Sequence, residues 1–311
     1  MKAQVTGLHH ITAIASDPRQ NLDFYTSVLG LRFVKKSVNQ DDPGTYHLYY
    51  GDYAASPGTI LTFFPWAGLR RGRPGTGQAY ATAFSVPAGS LPFWQTRFTK
   101  LGVKQQPIES RFNDEALPFA DRDGLRLELV ATSETDSRPA APAKDVPAEF
   151  AIRGFHGSTL ALTDAAATAA VLTESMGYKL AAQAGHRARY MAAAGGPGTY
   201  VDLLTDPALP RGLNGAGTIH HVAFRVADDA AEVSARDILL QSGLQVSPVI
   251  DRAYFKSIYY REPAGVLFEI ATDGPGFAID EPLDQLGTIL GLPPHLEPHR
   301  AAIEAALPKL T

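Results

Sequence analysis

An α+β fold assembled from four copies of a strand–helix–strand–strand–strand unit is the architecture predicted by this sequence of 311 residues. Three observations predict it. Two segments read almost alike: Leu8-His9-His10-Ile11-Thr12-Ala13-Ile14-Ala15-Ser16-Asp17 and Ile219-His220-His221-Val222-Ala223-Phe224-Arg225-Val226-Ala227-Asp228, each with an Asp seven places after the second histidine. Four times, a short apolar segment leads into a helix-start signal, an amphipathic stretch and a glycine. Four terminal strands then carry a polar residue at their centre, the last three lying 26, 25 and 26 residues after that glycine.

The opening strands are predicted over 8–15, 79–86, 155–162 and 219–226. Helix starts follow at Asp17-Pro18, Gly89-Ser90, Asp164 and Asp228-Asp229. Side-chain oxygens at such positions satisfy the free N–H groups of a first helical turn, and Pro suits the first helical position. Gly30, Gly102, Gly177 and Gly243 close the helices, where a left-handed residue is wanted. Taking His10, Thr82, Gly157 and His221 as equivalent, the glycine follows by 20, 20, 20 and 22 residues. The closing strands, 59–64, 125–130, 200–204 and 266–271, centre on Thr62, Glu128, Asp202 and Glu269. Residues 132–149, rich in Ser, Pro, Ala and Asp, read as a linker. They divide the chain into an N-terminal half of modules one and two (1–135) and a C-terminal half of modules three and four (150–280). A tail, 281–311, carries a predicted short helix over 298–307 and no legible chemistry.

The composition, 45% hydrophobic and 19% charged, is that of a globular protein. A net charge of −4 without segregation favours neither nucleic acid nor anionic membrane as a partner. Cysteine is absent, which removes disulfides, thiolate metal sites and a Cys nucleophile, and is ordinary for a reducing compartment. No basic-then-apolar leader opens the sequence, and no apolar run approaches the roughly 18–20 residues that span a bilayer. A cytoplasmic location is the expectation, with a homo-oligomer left open. Gly-rich phosphate loops and a Gly-x-Ser-x-Gly elbow are missing, so neither a nucleotide cofactor nor a serine hydrolase is indicated.

Neutral imidazole is the commonest metal ligand, so the repeated doublets point to a metal site built from distant parts of the chain. A lone strand histidine is more often a hydrogen-bonded core residue, and the repeated frame argues against that here. Adjacent strand residues face opposite ways, so one histidine of each doublet should face away unless a bulge turns it inward. Glu269, in Phe268-Glu269-Ile270, taken alone reads like a half-exposed strand residue. A three-residue hairpin loop ending in Gly265 sets Tyr259 directly across from Glu269, where it either packs or serves as a proton donor. Arg252 is placed to reach the mouth of the site and hold an anionic oxygen, or is simply solvated. His47, His156, His186, His295 and His299 read as structural or solvated, and Phe224 and Phe255 as apolar pocket walls.

Paired βαβββ modules resemble the vicinal oxygen chelate superfamily of glyoxalases, bleomycin-resistance proteins and extradiol dioxygenases, whose sheets curl into cups with ligands on opening and closing strands. On that pattern module four supplies His221 and Glu269, while module one supplies His10 with Thr62 at its carboxylate position. The economical set is His10, His221 and Glu269, a facial triad suited to Fe(II), with Mn(II) also fitting. Modules one and four must then share one cup, and two and three the other. Leu8-His9-His10-Ile11-Thr12, Tyr46-His47-Leu48-Tyr49-Tyr50, Arg153-Gly154-Phe155-His156, Ile219-His220-His221, Arg252-Ala253-Tyr254-Phe255 and Val266-Leu267-Phe268-Glu269 together resemble the hydroquinone ring-cleaving dioxygenases over roughly residues 5–280. That resemblance implies Fe(II) on His10, His221 and Glu269, with His220, Arg252 and Tyr259 around the substrate. It also implies a small aromatic of hydroquinone or catechol type and O2 as reactants. Two rival functions use the same fold: a metal-dependent glyoxalase-type isomerase or lyase, and a sequestering resistance protein. Thr62 argues against the first, which usually needs a second carboxylate, and the doublets against the second.

Overall fold

The computed structural model describes residues 2–140, 143 and 145–310. Part of the predicted linker, Ala141, Pro142 and Lys144, lies outside the described residues. Module one runs β1 (Gly7–Ala15), α1 (Pro18–Asp23, continued by a wide turn over Phe24–Val28), β2 (Arg32–Asn39), β3 (Asp42–Gly51) and β4 (Ile60–Pro65). Module two runs β5 (Gln78–Val86), α2 (Leu91–Leu101), β6 (Glu109–Arg111), β7 (Asp114–Ala120) and β8 (Arg126–Ala131). Module three has β9 (Gly154–Ala161), α3 (Ala166–Ala170), β10 (Lys179–Ala184), β11 (Arg187–Met191) and β12 (Tyr200–Leu204). Module four has β13 (Thr218–Val226), α4 (Asp229–Gln241), β14 (Ile250–Asp251), β15 (Phe255–Arg261) and β16 (Leu267–Pro275). The tail adds β17 (Leu290–Gly291) and α5 (Arg300–Ala306).

The helix signals act much as their chemistry dictates. Asp17 accepts from the N–H groups of Arg19 and Gln20, Asp228 from Ala231, and Asp164 from Ala166. Ser90 differs: its side chain makes no capping bond, and the preceding Gly89 turns the chain at φ +79°. All four post-helix glycines have positive φ, between +67° and +82°, which a Cβ would oppose.

Among the described residues the strands form two curled sheets. One has the order β14-β15-β16-β13-β1-β4-β3-β2-β17, the other β10-β11-β12-β9-β5-β8-β7-β6. Modules one and four therefore share a sheet, joined by the antiparallel pair β1–β13, and modules two and three share the other through β5–β9. This cross-pairing follows the ligand pattern instead of the usual preference for sequence neighbours. A continuous hydrophobic core, including Leu8, Phe63, Phe84, Trp94, Phe155, Phe224 and Phe268, runs behind both sheets.

Candidate metal centre and active site

His10 and His221 stand on the central strands β1 and β13, and Glu269 on β16 beside them. His10 Nε2 lies 3.3 Å from His221 Nε2 and 3.3 Å from Glu269 Oε2, and His221 Nε2 lies 2.9 Å from the same oxygen. All three residues are buried. Ligand atoms about 2.1 Å from a common ion and in adjacent coordination positions sit about 3.0–3.4 Å apart, so the spacing fits one shared cation. Glu269 Oε2 supports the fit independently, since it is buried without a hydrogen-bond partner among the described residues. Its sister Oε1 accepts from Ser257 Oγ. Burial pushes the Glu269 carboxyl up; with protons on the facing Nε2 atoms, His10 and His221 would hold it well below its ordinary range, and with Nε2 lone pairs facing it a cation would have to do so. Two imidazole nitrogens and a carboxylate oxygen thus converge on one point, an arrangement that favours a cation there.

The doublets owe their geometry to two bulges in the β1–β13 ladder. Leu8 pairs with Phe224 and His10 with Ala223, leaving His9 as the extra residue; Thr12 pairs with His221 and Ala13 with Ile219, leaving His220 as the other. A bulge re-aims side chains that strict alternation would send to opposite faces. His9 Nδ1 consequently lies 2.9 Å from His10 Nδ1, and His220 Nδ1 lies 2.8 Å from His221 Nδ1. When each second histidine donates from Nδ1 to its neighbour, its Nε2 lone pair faces the centre, the tautomer a metal ligand needs. Burial, reinforced by the adjacent imidazole, pushes His9 and His220 down to about 3, and burial also lowers His221. These rings are neutral at physiological pH.

Tyr259 pairs directly with Glu269 across β15–β16, the register read from the hairpin. Arg252 Nε donates to Tyr259 Oη at 3.0 Å, its Nη1 donates to Gln40 Oε1 at 3.3 Å, and its guanidinium lies 5.0 Å from the Tyr259 ring centre. Burial pushes the Tyr259 phenol well above its ordinary range, so it keeps its proton.

These groups line a cavity of about 470 Å³ whose wall includes His10, His220, His221, Arg252 and Tyr259 along with Tyr49, Phe64, Trp66 and Phe255. The structure revises the sequence reading at Phe224, at His47, in the tail and in the local pattern around Glu269. Phe224 is not a pocket wall; it is buried on the opposite face against Tyr178 and Phe268, because it alternates with His221 along β13. His47 belongs to the cavity: Nε2 bonds Thr62 Oγ1 at 2.8 Å and Nδ1 bonds Tyr49 Oη at 2.7 Å. Thr62 also bonds Thr12 Oγ1 at 2.8 Å, which occupies the module-one carboxylate position with a neutral network. The tail, in which no chemistry was legible, contributes Leu292, Pro293 and Pro294 to the cavity wall. Glu269 is not half-exposed but fully buried. Ser257 and His47 were missed because nothing in their local sequence separates them from ordinary strand residues.

A bulged pair of βαβββ modules holding a His/His/Glu cluster at the cup floor defines a class. The chain belongs to the Glyoxalase/Bleomycin resistance protein/Dioxygenase superfamily, whose profile matches residues 7–129 and 154–270. More particularly, it is 45% identical over 99% of its length to "Putative ring-cleaving dioxygenase MhqO" of Bacillus subtilis (strain 168), covering 97% of that protein. It is 34% identical over 94% of its length to the chlorohydroquinone/hydroquinone 1,2-dioxygenase of Sphingobium indicum, covering 93% of that chain. The crystal structure of a "putative dioxygenase" from Bacillus subtilis superposes with a TM-score of 0.95 at 44% identity, covering 99% of this chain and 98% of that one. Glyoxalase I from Zea mays, at 14% identity, 86% and 92% coverage and a TM-score of 0.65, shares the fold alone.

Proposed function

We propose that the protein is an Fe(II)-dependent ring-cleaving dioxygenase acting on a hydroquinone- or catechol-type aromatic, with Mn(II) as the second candidate ion. The observation that carries the reading is the converging Nε2, Nε2 and Oε2 set at the floor of an aromatic-lined cavity, with Arg252 and Tyr259 beside it. The names of the relatives at 34–45% identity support it. His10, His221 and Glu269 would hold the ion on one face; when bound, it would supply a site at which substrate and O2 meet.

The remaining chemistry belongs to the side chains. Arg252 is a fixed cation at the cavity wall, suited to holding a phenolate oxygen of the substrate. The Tyr259 phenol, kept protonated by burial, can donate its Oη proton to an oxygen that gains charge during reaction. His220, neutral and with Nδ1 accepting from His221, presents its Nε2–H toward the cavity, where it can donate a hydrogen bond to a substrate oxygen. The aromatic walls limit water and accommodate a flat ring. The overall step balances without an external reductant: one ring C–C bond breaks, and both atoms of O2 enter the product. Small aromatic substrate and O2 are the only partners this chemistry requires. Among the described residues no helix is long and apolar enough to cross a membrane.

The test is anaerobic reconstitution with Fe(II) or Mn(II), then oxygen uptake with a hydroquinone and with a catechol. Uptake of one O2 per ring opened, with both atoms of ¹⁸O₂ recovered in the product, is expected. Turnover of a glutathione adduct without oxygen would replace the reading with an isomerase, and binding without turnover would replace it with sequestration.

A further inference from the structure

The chain reverses sharply just before β15, where Arg252 N donates to Phe255 O at 2.9 Å and Ala253 N to Asp251 Oδ1 at 2.7 Å. At the tip, Ala253 has φ +70°, one of three non-glycine residues with positive φ among the described residues. Such a conformation opposes a Cβ and persists only where surrounding contacts over-determine it. Its effect is to send two neighbouring side chains in different directions. Arg252 goes into the cavity, onto Tyr259 and Gln40. Tyr254, which also borders the cavity, turns to the segment entering the tail, where its Oη donates to Asp280 Oδ2 at 2.9 Å and its ring stacks on Phe277 at 4.8 Å.

Under Tyr254 lies an ionic cluster that the proposed reaction does not use. Lys35, on β2, is fully buried, with its ammonium between Asp280, at 2.5 Å, and Glu281, and 4.8 Å from the Tyr254 ring centre. Glu281 Oε1 in turn accepts from the N–H groups of Thr288 and Ile289 at 2.9 and 3.0 Å, holding the tail loop. The tail then returns to β2, with Leu290 and Gly291 paired to Lys36 and Ser37. Gly291 is packed so closely that a Cβ there would meet Tyr254 Oη at 2.6 Å. A buried lysine is tolerated only when paired, so the cluster and the tail it docks stand or fall together.

From this geometry we infer that Lys35, Asp280 and Tyr254 are positioning residues: by anchoring the tail to the turn at Ala253, they hold Arg252 in its cavity-facing pose. The tail is thereby a working part of the site, acting on the substrate's oxyanion through Arg252. The inference rests on the phenolate-holding role of Arg252 proposed above.

The experiment is a double-mutant cycle on the metal-loaded, full-length protein, combining Asp280→Asn or Tyr254→Phe with Arg252→Ala. Two readouts are taken: anaerobic binding of the optical probe 4-nitrophenolate, and KM and kcat for hydroquinone. Loss of a hydrogen bond to a charged group typically weakens binding about tenfold or more. Asp280→Asn is expected to raise the probe Kd and hydroquinone KM about tenfold with a smaller change in kcat, and to change neither in the Arg252→Ala background. Tyr254→Phe, which keeps the stacked ring and removes one hydroxyl, serves as the milder variant if Asp280→Asn misfolds. Equal losses with and without Arg252 would overturn the inference, as would no loss from either variant or no probe binding by the unmodified protein. Probe binding that follows the cycle while oxygen uptake is absent would uphold the positioning role and sink the dioxygenase reading.

Discussion

The two cups of this molecule carry carboxylates at matching positions and neutralise them differently. In the sheet of modules one and four, Glu269 faces two imidazoles and an open cavity of about 470 Å³. In the sheet of modules two and three, the ladder puts Ala81 and Gly157 in the places of the two cluster histidines, Ala81 being one residue before the Thr82 that the glycine spacing pointed to. There Glu128 is held by Arg111 at 2.6 Å, and Asp202 by Arg189 at 2.8 Å and Arg187 at 3.0 Å. Arg189 also reaches Asp114 at 2.6 Å, and the space left among these groups is about 10 Å³. A buried carboxylate requires a cation, and where the histidines are missing, guanidinium groups supply it from within the fold. One cup leaves its carboxylate facing imidazoles, where the proposed cation would supply the positive charge; the other carries its own.

The sharpest way to break that contrast is Glu269→Gln. It is expected to remove stoichiometric Fe(II) or Mn(II) binding, measured by elemental analysis, and to reduce oxygen uptake to background, while the metal-free protein keeps its stability in urea. The counterpart in the closed cup, Arg189→Met, should cost about 3–5 kcal/mol in urea unfolding, because Asp202 and Asp114 are left buried with too little positive charge. Metal content should be unchanged. If Arg189→Met unfolds no more readily than Glu269→Gln, the two cups are not neutralised in the way argued here. Smaller is the effect of His9→Phe, which keeps a ring against Phe255 but removes the acceptor for His10 Nδ1. Metal affinity is expected to fall about 10–100-fold, read by competitive chelation. The smallest effect concerns acid. Burial pushes the Asp202 carboxyl up, but Arg189 and Arg187 hold it below its ordinary value of 3.8. A depressed folded-state pKa stabilises the protein above the unfolded value and loses that stabilisation as pH falls through the folded one. Stability should therefore decline below about pH 4, and Asp202→Asn should flatten that acid limb in urea melts followed at several pH values.

Much of the cup holding the His/His/Glu cluster was legible because its signals are local and repeated. The doublets fixed the frame of His10 and His221, the glycine spacing aligned Glu269 with them, and the hairpin at Gly265 set Tyr259 opposite that carboxylate. Sequence reading ran out where the signal is not local. Alternation along a strand says that His9 and His10 part ways, and only the ladder, by skipping His9 and His220, turns both rings of each doublet toward one another. Phe224 was misplaced for the related reason that a residue's aromatic character does not reveal its face. The arginines of the closed cup, and Lys35 under the tail, pair with residues 13 to 246 positions away, and no hydropathy pattern encodes such partners.

The separation of His10 from His221 by 211 residues also has a consequence during synthesis. A nascent chain presents a single doublet until β13 emerges, and it cannot complete the His10–His221–Glu269 set until β16 has left the ribosome. The full three-ligand set is thereby withheld from every chain that ends before β16. Late, long-range closure slows folding, and here it also ties assembly of the three-ligand cluster to completion of the cup.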